Sequence, residues 1–110
     1  HLISNNFLNE ERFTEAFVSG KINIKKWGKI KIRQHLKQKR ISKYSMDKGI
    51  SSIDPEVYIS NLTELAERKY LSLASEKDSY AKKVKVYRFL ASKGYETDLI
   101  KDVVDPLFID

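Results

Sequence analysis

Apolar residues along the chain recur three and four positions apart, which is the spacing of a helix face and not the alternation of a strand. In the first such stretch Phe13 and Phe17 share one face. Asn9 is a suitable N-cap for it, and Gly20 is a residue type that commonly ends a helix. We therefore expect a helix from about Asn9 to Gly20. Residues 1–7 are too short to form an element of their own.

Five further helices are predicted after a connector at Ile22–Trp27. The clearest start is Asp54-Pro55-Glu56, which combines a capping Asp, Pro at the first helical position and Glu in the first turn. Six helices and only four Gly and two Pro predict an all-α protein. The expected elements are about Lys29–Lys39, a helix capped by Ser42, Pro55 to about Ser75, Tyr80–Lys93 and Thr97–Val104.

The two halves of the chain align with each other at an offset of 54 residues. Lys29–Leu36 (KIKIRQHL) matches Lys83–Leu90 (KVKVYRFL), and the match continues to Met46 and Ile100. A three-helix unit of about 50 residues is marginal alone, so two such units should stack and share apolar surface. We expect tandem three-helix repeats in an elongated array, with residues 1–8 the end of a preceding repeat, 9–53 one repeat and 54–110 the next.

The fifth predicted helix has two apolar faces. Val86 and Leu90 lie on one face, whereas Val84, Tyr87 and Ala91 lie on another. A helix with two apolar faces is typical of an element that packs inside its own unit and also against something else. The sequence does not identify that second contact.

Positive charge is concentrated in one segment. The chain carries a formal charge of +6, yet the 31 residues between Glu15 and Asp47 hold ten Lys and Arg and no acid. The rest of the chain is net acidic. A second stretch without acid lies between Asp78 and Glu96 and is also rich in lysine.

Cations without counter-charges repel one another and destabilise a fold unless an anionic partner binds. A plain solvated surface is the alternative interpretation; we favour an anionic partner, bound through phosphates or acidic side chains. The candidate residues for binding a partner or phosphate are Lys21, Lys25, Lys26, Trp27, Lys29, Lys31, Arg33, Lys37, Lys39, Arg40, Lys43, Lys82, Lys83, Lys85 and Arg88.

Trp27 has two interpretations. Beside Lys25 and Lys26 it could stack on a base or enter a pocket of a partner. It could instead fill the junction between the first two helices, which we favour because an exposed Trp is costly.

The residue types needed for catalysis or metal binding are sparse. Cysteine is absent and His35 is the one internal histidine. No phosphate-binding glycine loop or metalloprotease motif is present, and Glu10 and Glu11 are explained by a first helical turn. We expect no enzyme activity, cofactor, metal or small-molecule substrate. No segment predicts a membrane span, and a cytoplasmic location is expected.

Several motifs together resemble the RecX family of bacterial RecA regulators. In the first half they are Arg12-Phe13-x-Glu15-Ala16-Phe17-Val18, a basic connector ending in Trp27-Gly28, then Lys31-Ile32-Arg33-x-x-Leu36 and Ile41. In the second half they are Tyr87-Arg88-Phe89-Leu90-x-x-Lys93-Gly94-Tyr95 and Asp98-Leu99-Ile100. The resemblance covers nearly the whole chain and implies the second and third of the family's three helical repeats.

This resemblance implies a regulator without catalytic activity. Such proteins bind along the groove of the RecA–DNA filament and inhibit ATP hydrolysis and strand exchange in DNA recombination, repair and the SOS response. DNA is then a partner within the filament, and binding of naked DNA is left open. One alternative is a helical module that binds DNA directly through residues 21–43. Another is a purely structural adaptor with no nucleic-acid role.

The chain departs from the family pattern at two positions. Arg40 stands where the family commonly has Gly, so a non-glycine residue is expected in a left-handed conformation. His35 stands where the family often has Glu, which removes an acid from the basic segment.

Overall fold

A computed structural model describes the backbone of residues 2–109 and the side chains of residues 9–109. This part of the chain contains six α-helices and no strand, so the predicted all-α class is confirmed. The elements are α1 Leu2–Gly20, a π-helical turn Lys21–Lys25, α2 Lys29–Gln38, α3 Lys43–Ser51, α4 Pro55–Ser72, α5 Ser79–Ser92, α6 Thr97–Val104 and a 3₁₀ turn Asp105–Phe108.

Side-chain caps start three of the helices. The Ser42 hydroxyl accepts from the Ser45 amide at 3.2 Å at the start of α3. Asp54 accepts from the Glu56 amide at 2.9 Å at the start of α4, as the sequence predicts. Asp78 does the same for α5.

The first helix is longer than predicted at its N-terminal end. It begins at Leu2, so residues 2–7 are helical and Asn9 lies within the helix instead of capping it. Glu10, two turns into the helix, accepts from the Ser42 amide at 3.0 Å and from its hydroxyl at 2.5 Å. These hydrogen bonds lower the Glu10 pKa and fasten α1 to the start of α3.

The α-helix ends at Gly20, as predicted, but the chain does not turn away there. Gly20 has ordinary right-handed helical angles, and the winding continues through the π-helical turn to Lys25. Ile22 becomes buried in the core by this extension, which offsets the poor helix propensity of glycine. The chain leaves the helix at Lys26, whose φ is 55°.

The core confirms the internal repeat. Ile32 and Leu36 of α2 are fully buried, as are their counterparts Val86 and Leu90 of α5. These side chains form one continuous apolar cluster that runs through both units. The molecule measures 61 × 24 × 21 Å with a radius of gyration of 16.7 Å. A compact chain of this size has about 13 Å, so the array is elongated as predicted.

The turns after α2 and α5 also match. Gly94 has a φ of 96° and its counterpart Arg40 has a φ of 59°. The expectation that Arg40 adopts a left-handed conformation is therefore confirmed. Left-handed backbone is costly for a residue with a Cβ atom, so this turn stores strain that the glycine turn does not.

The connector before α2 packs directly on the second unit. The Lys29 amide donates to the Tyr58 hydroxyl at 2.8 Å, and that hydroxyl donates in turn to Glu96. The Tyr95 hydroxyl donates to the Lys26 carbonyl at 2.7 Å. Burial raises the pKa of both tyrosines. These contacts set the orientation of α2, and hence of its lysines, relative to the second unit.

Candidate interaction surface

Three aromatic rings from α1, the connector and α2 pack together on the outside of the first unit. The Trp27 ring centroid lies 6.4 Å from Phe17 in an edge-to-face arrangement and 4.5 Å from His35. All three side chains are partly buried. They bridge α1 to α2, as the junction-filling interpretation of Trp27 expects.

Three lysines surround these rings. The Lys21 ammonium lies 4.5 Å from the Trp27 centroid and 5.2 Å from Phe17. Lys31 reaches Trp27 at 4.4 Å and Lys39 reaches Phe17 at 5.7 Å. Each contact of this kind contributes about 0.5–1 kcal/mol at an exposed site. We call Phe17, Trp27, His35, Lys21, Lys31 and Lys39 the lysine–aromatic surface.

The charge of the lysine–aromatic surface is not neutralised within the described part of the chain. None of its three lysines has a carboxylate within ion-pair distance among residues 9–109. Each ammonium group instead lies over an aromatic ring. The surface therefore combines clustered positive charge with a partly exposed indole, which suits a phosphate, a carboxylate or a base.

Other basic residues of the same segment do have counter-charges, which corrects the expectation drawn from the acid-free window. Asp47 contacts Lys43 at 2.8 Å and Arg33 at 2.9 Å. Those two cations lower the Asp47 pKa, with Lys43 the larger cause. Lys26 is paired with Glu64 at 3.8 Å. The Lys43–Asp47 pair is a local contact one helical turn apart. The Arg33–Asp47 and Lys26–Glu64 pairs depend on the fold, which a linear charge count cannot detect.

The segment is therefore divided between two flanks of α2. Lys31 points toward Trp27 on one flank, whereas Arg33 pairs with Asp47 on the other. Lys25, Lys37 and Arg40 are exposed. They have no acid within ion-pair distance in the described residues.

Lys29 is held differently. Its ammonium lies 4.8 Å from the Tyr58 ring, at the junction of the two units. Its backbone amide donates to the hydroxyl of the same tyrosine. Lys29 therefore contributes to the contact between the units more than to the exposed charge.

The candidates of the second unit are mostly engaged. Lys85 is paired with Glu76 at 2.6 Å and Lys83 with Asp105 at 3.1 Å. The Lys82 ammonium lies 3.7 Å from the Tyr70 ring. The exposed Arg88 has none of these contacts. Most of the basic candidate residues of the second unit are therefore engaged in contacts within the chain.

Sequence reasoning does not include Phe17 or His35 among the candidate residues. The apolar pattern places Phe17 on a helix face packed in the core, yet it also supports two lysines. Its neighbour Phe13 is 44% exposed, 5.8 Å from the Phe17 ring. The signal that could have found Phe17 is its spacing from Lys21, which places an ammonium one turn after an aromatic ring.

Two further features of the described residues bear on the site. No helix there is long and apolar enough to cross a membrane. Across side chains 9–109, His, Asp and Glu do not come together in groups of three that could hold a metal ion.

Known proteins share both the sequence and the fold. Residues 9–51 match the family model for the second three-helix domain of RecX, and residues 56–104 match that for the third. The Regulatory protein RecX of Clostridium botulinum (strain Eklund 17B / Type B) is 43% identical over 100 residues, which are 90% of this chain and 46% of that protein. That of Clostridioides difficile (strain 630) is 30% identical over 106 residues, 96% of this chain and 50% of its own.

A solved structure agrees. The crystal structure of a regulatory protein RecX superposes with a TM-score of 0.74 at 27% identity, covering 84% of this chain and 47% of that one. The chain spans about half the length of the relatives it matches. Two consecutive domain matches, the identity to curated relatives and the shared fold lead to one conclusion: the chain belongs to the RecX family.

Proposed function

We propose that this chain is a regulatory segment that binds a RecA-type recombinase filament and inhibits its ATP hydrolysis and strand exchange, without catalysing a reaction itself. The observation that carries the proposal is the lysine–aromatic surface on an elongated helical array in a RecX family member. Three lysines without acid partners among residues 9–109 are held around Phe17 and Trp27. Such a surface is electrostatically complementary to clustered negative charge on a partner.

The proposed mechanism relies on the length and stiffness of the array. The chain is 61 Å long, and hydrogen bonds such as Lys29 to Tyr58 lock its units together. A rigid body of this length laid along a filament contacts more than one subunit. It opposes the subunit motions that couple ATP hydrolysis to strand exchange, because those motions would break its contacts.

Direct DNA binding is the second candidate. It is favoured by Lys25, Lys37 and Arg40, which are exposed and have no acid partners among residues 9–109. Such cations contact the phosphate backbone of any sequence. Together with the lysine–aromatic surface they would serve as an electrostatic footprint on naked duplex.

Cosedimentation distinguishes the two candidates. The chain is mixed with recombinase filaments formed on single-stranded DNA with ATP, with recombinase alone and with naked duplex, each across a salt series. A filament regulator binds the filament far more tightly than duplex at physiological salt. Equal binding to duplex, with a logarithmic salt slope of roughly −4 to −5, favours the DNA-binding module. Absence of binding to all three contradicts both.

A further inference from the structure

The second apolar face of α5 is partly exposed to solvent. Tyr80, Val84 and Tyr87 lie along it at helical spacing, and Tyr80 is 76% exposed. Together with Lys83 and Arg88 they line a groove of about 370 Å³, which we call the α5 groove. It lies in the second unit, away from the lysine–aromatic surface.

The repeat shows what covers the matching end of α2. The amides of Gly28 and Ile30 donate to the carbonyls of Lys93 and Gly94 at 2.7 and 2.9 Å. The second unit thus caps the first turn of α2. The first turn of α5 is capped by a residue of the same unit, because Asp78 accepts from the Tyr80 amide at 3.0 Å. The start of α5 therefore needs no further unit.

A further three-helix unit could not pack on α5 in the way that the second unit packs on α2. The counterpart of Gly28 is Lys82, and a Cβ atom at Gly28 would lie 2.2 Å from the Gly94 carbonyl group. In an equivalent contact, the Cβ atom of Lys82 would collide with the backbone of the added unit in the same way. The α5 groove is therefore suited to a partner that contacts it through side chains and not through close backbone packing.

The chemistry of the groove favours an acidic protein segment over nucleic acid. Its floor is apolar, which suits an aliphatic or aromatic side chain. Lys83 is engaged by Asp105, so Arg88 is the one lining cation without an acid partner among residues 9–109. One free guanidinium suits a carboxylate but is too little to follow a phosphate backbone.

The acid at the groove edge is already neutralised, so it does not repel an incoming carboxylate. Asp105 faces the groove edge but accepts from the Tyr87 hydroxyl at 2.7 Å and is paired with Lys101 and Lys83. Its pKa is held far below the usual range by these partners, Lys101 first. Two acids near the groove have no ion pair among residues 9–109: Asp102, exposed on α6 near Tyr87, and Asp78, at the start of α5 beside Tyr80. No acid occurs in α5 itself.

We propose that the α5 groove binds an acidic segment of a partner protein, whose apolar side chain packs against Val84 between Tyr80 and Tyr87 and whose carboxylate pairs with Arg88. This contact is separate from the lysine–aromatic surface. It therefore does not depend on the function proposed above.

The probe is a short soluble peptide of alternating Glu and Leu, added to the isotope-labelled chain while backbone amide signals are followed by NMR. The proposal expects shifts centred on Tyr80–Arg88. It expects roughly tenfold weaker binding for Arg88→Glu and for Tyr80→Ala. Both residues are exposed, so both variants should retain the wild-type spectrum elsewhere. Lys77→Glu, an exposed charge reversal in the preceding loop, should bind as the wild type does.

Four results would overturn the proposal. The shifts could map outside the α5 groove, or Arg88→Glu could leave the affinity unchanged. A peptide with Lys in place of Glu could bind equally well. An oligonucleotide or a second copy of the chain, rather than the peptide, could perturb the groove. Because no recombinase is present, a negative result with the peptide does not contradict the proposed function. A negative result in the filament cosedimentation likewise does not contradict peptide binding in the α5 groove.

Discussion

The amide nitrogen of Gly28 lies 2.7 Å from the carbonyl oxygen of Lys93, so the start of α2 is capped by the turn that ends α5. The approach is possible because neither Gly28 nor Gly94 has a side chain. A Cβ atom at Gly28 would lie 2.2 Å from Gly94, and one at Gly94 would lie 2.4 Å from Lys31. The lysines of α2 are thus positioned by backbone contact between the units.

Gly28→Ala should destabilise the protein by roughly 2–4 kcal/mol, because backbone on both sides of the contact must move. The matched control is Gly20→Ala. Gly20 is helical, and a Cβ atom added there would have no neighbouring atom within 4 Å. Alanine there should stabilise by about 0.5–1 kcal/mol. Urea unfolding measures both, and a Gly28→Ala chain as stable as the wild type would contradict the close contact.

Asn61 holds the π-helical turn to the second unit. Its buried amide donates to the Ile22 carbonyl at 2.9 Å, and its oxygen accepts from Lys26 at 3.4 Å. Asn61→Ala should cost about 1–3 kcal/mol, since a buried carbonyl loses its donor. Asn23→Ala removes an exposed hydrogen bond of the same amide type, to Ser19. That control should stay within about 0.5 kcal/mol, and equal losses for the two variants would argue against the role of Asn61.

Arg40→Gly should stabilise the chain by about 0.5–1 kcal/mol, because it relieves left-handed strain at an exposed residue. Lys26 has nearly the same φ but also bonds to Asn61 and Glu64. Lys26→Gly should therefore gain less or lose stability. Thermal unfolding of both variants tests the contrast, and a loss for Arg40→Gly would show that its side chain has a stabilising contact.

The parts that could be predicted from the sequence are those set by local chemistry. Caps at Ser42 and Asp54 and the repeat follow from residue types at fixed spacing, whereas the left-handed Arg40 is expected from the resemblance to the RecX family pattern. The α-helix ends at Gly20 as predicted, but the π-helical turn after it could not be predicted, because it depends on burial of Ile22, which is a tertiary effect.

The candidate site was predictable only in part, for the same reason. Lysine clustering and the i,i+4 spacing of Lys43 and Asp47 are visible in sequence. The pairing of Arg33 with Asp47 and of Lys26 with Glu64 depends on the fold. The role of Phe17 as a support for lysines likewise depends on how α1 and α2 pack. Both follow from contacts between helices, which the order of residues alone does not give.

Stability should fall at alkaline pH through Tyr58. Burial raises its pKa above the ordinary value of 10.0, and the hydrogen bond to Glu96 adds to the effect. The unfolded chain loses the phenolic proton near pH 10 while the folded chain keeps it. The contribution is thus fully present below about pH 10 and is lost progressively above it.

Tyr58→Phe should weaken this dependence and cost roughly 1–3 kcal/mol at neutral pH. The measurement is urea unfolding of both chains between about pH 8 and pH 11, a range spanning the ordinary tyrosine pKa of about 10. Lysine titration affects both chains alike. Parallel pH profiles would contradict a buried, protonated Tyr58 in the folded state.

The central claim is that the lysine–aromatic surface meets the filament. The direct test is the affinity of the Lys21→Glu/Lys31→Glu/Lys39→Glu variant for recombinase filaments. Its control, Arg12→Glu/Arg68→Glu/Lys77→Glu, makes the same change in net charge at three exposed residues elsewhere. The account predicts that affinity falls by roughly tenfold or more for the first variant and far less for the control. Equal affinity of the two folded variants would contradict it.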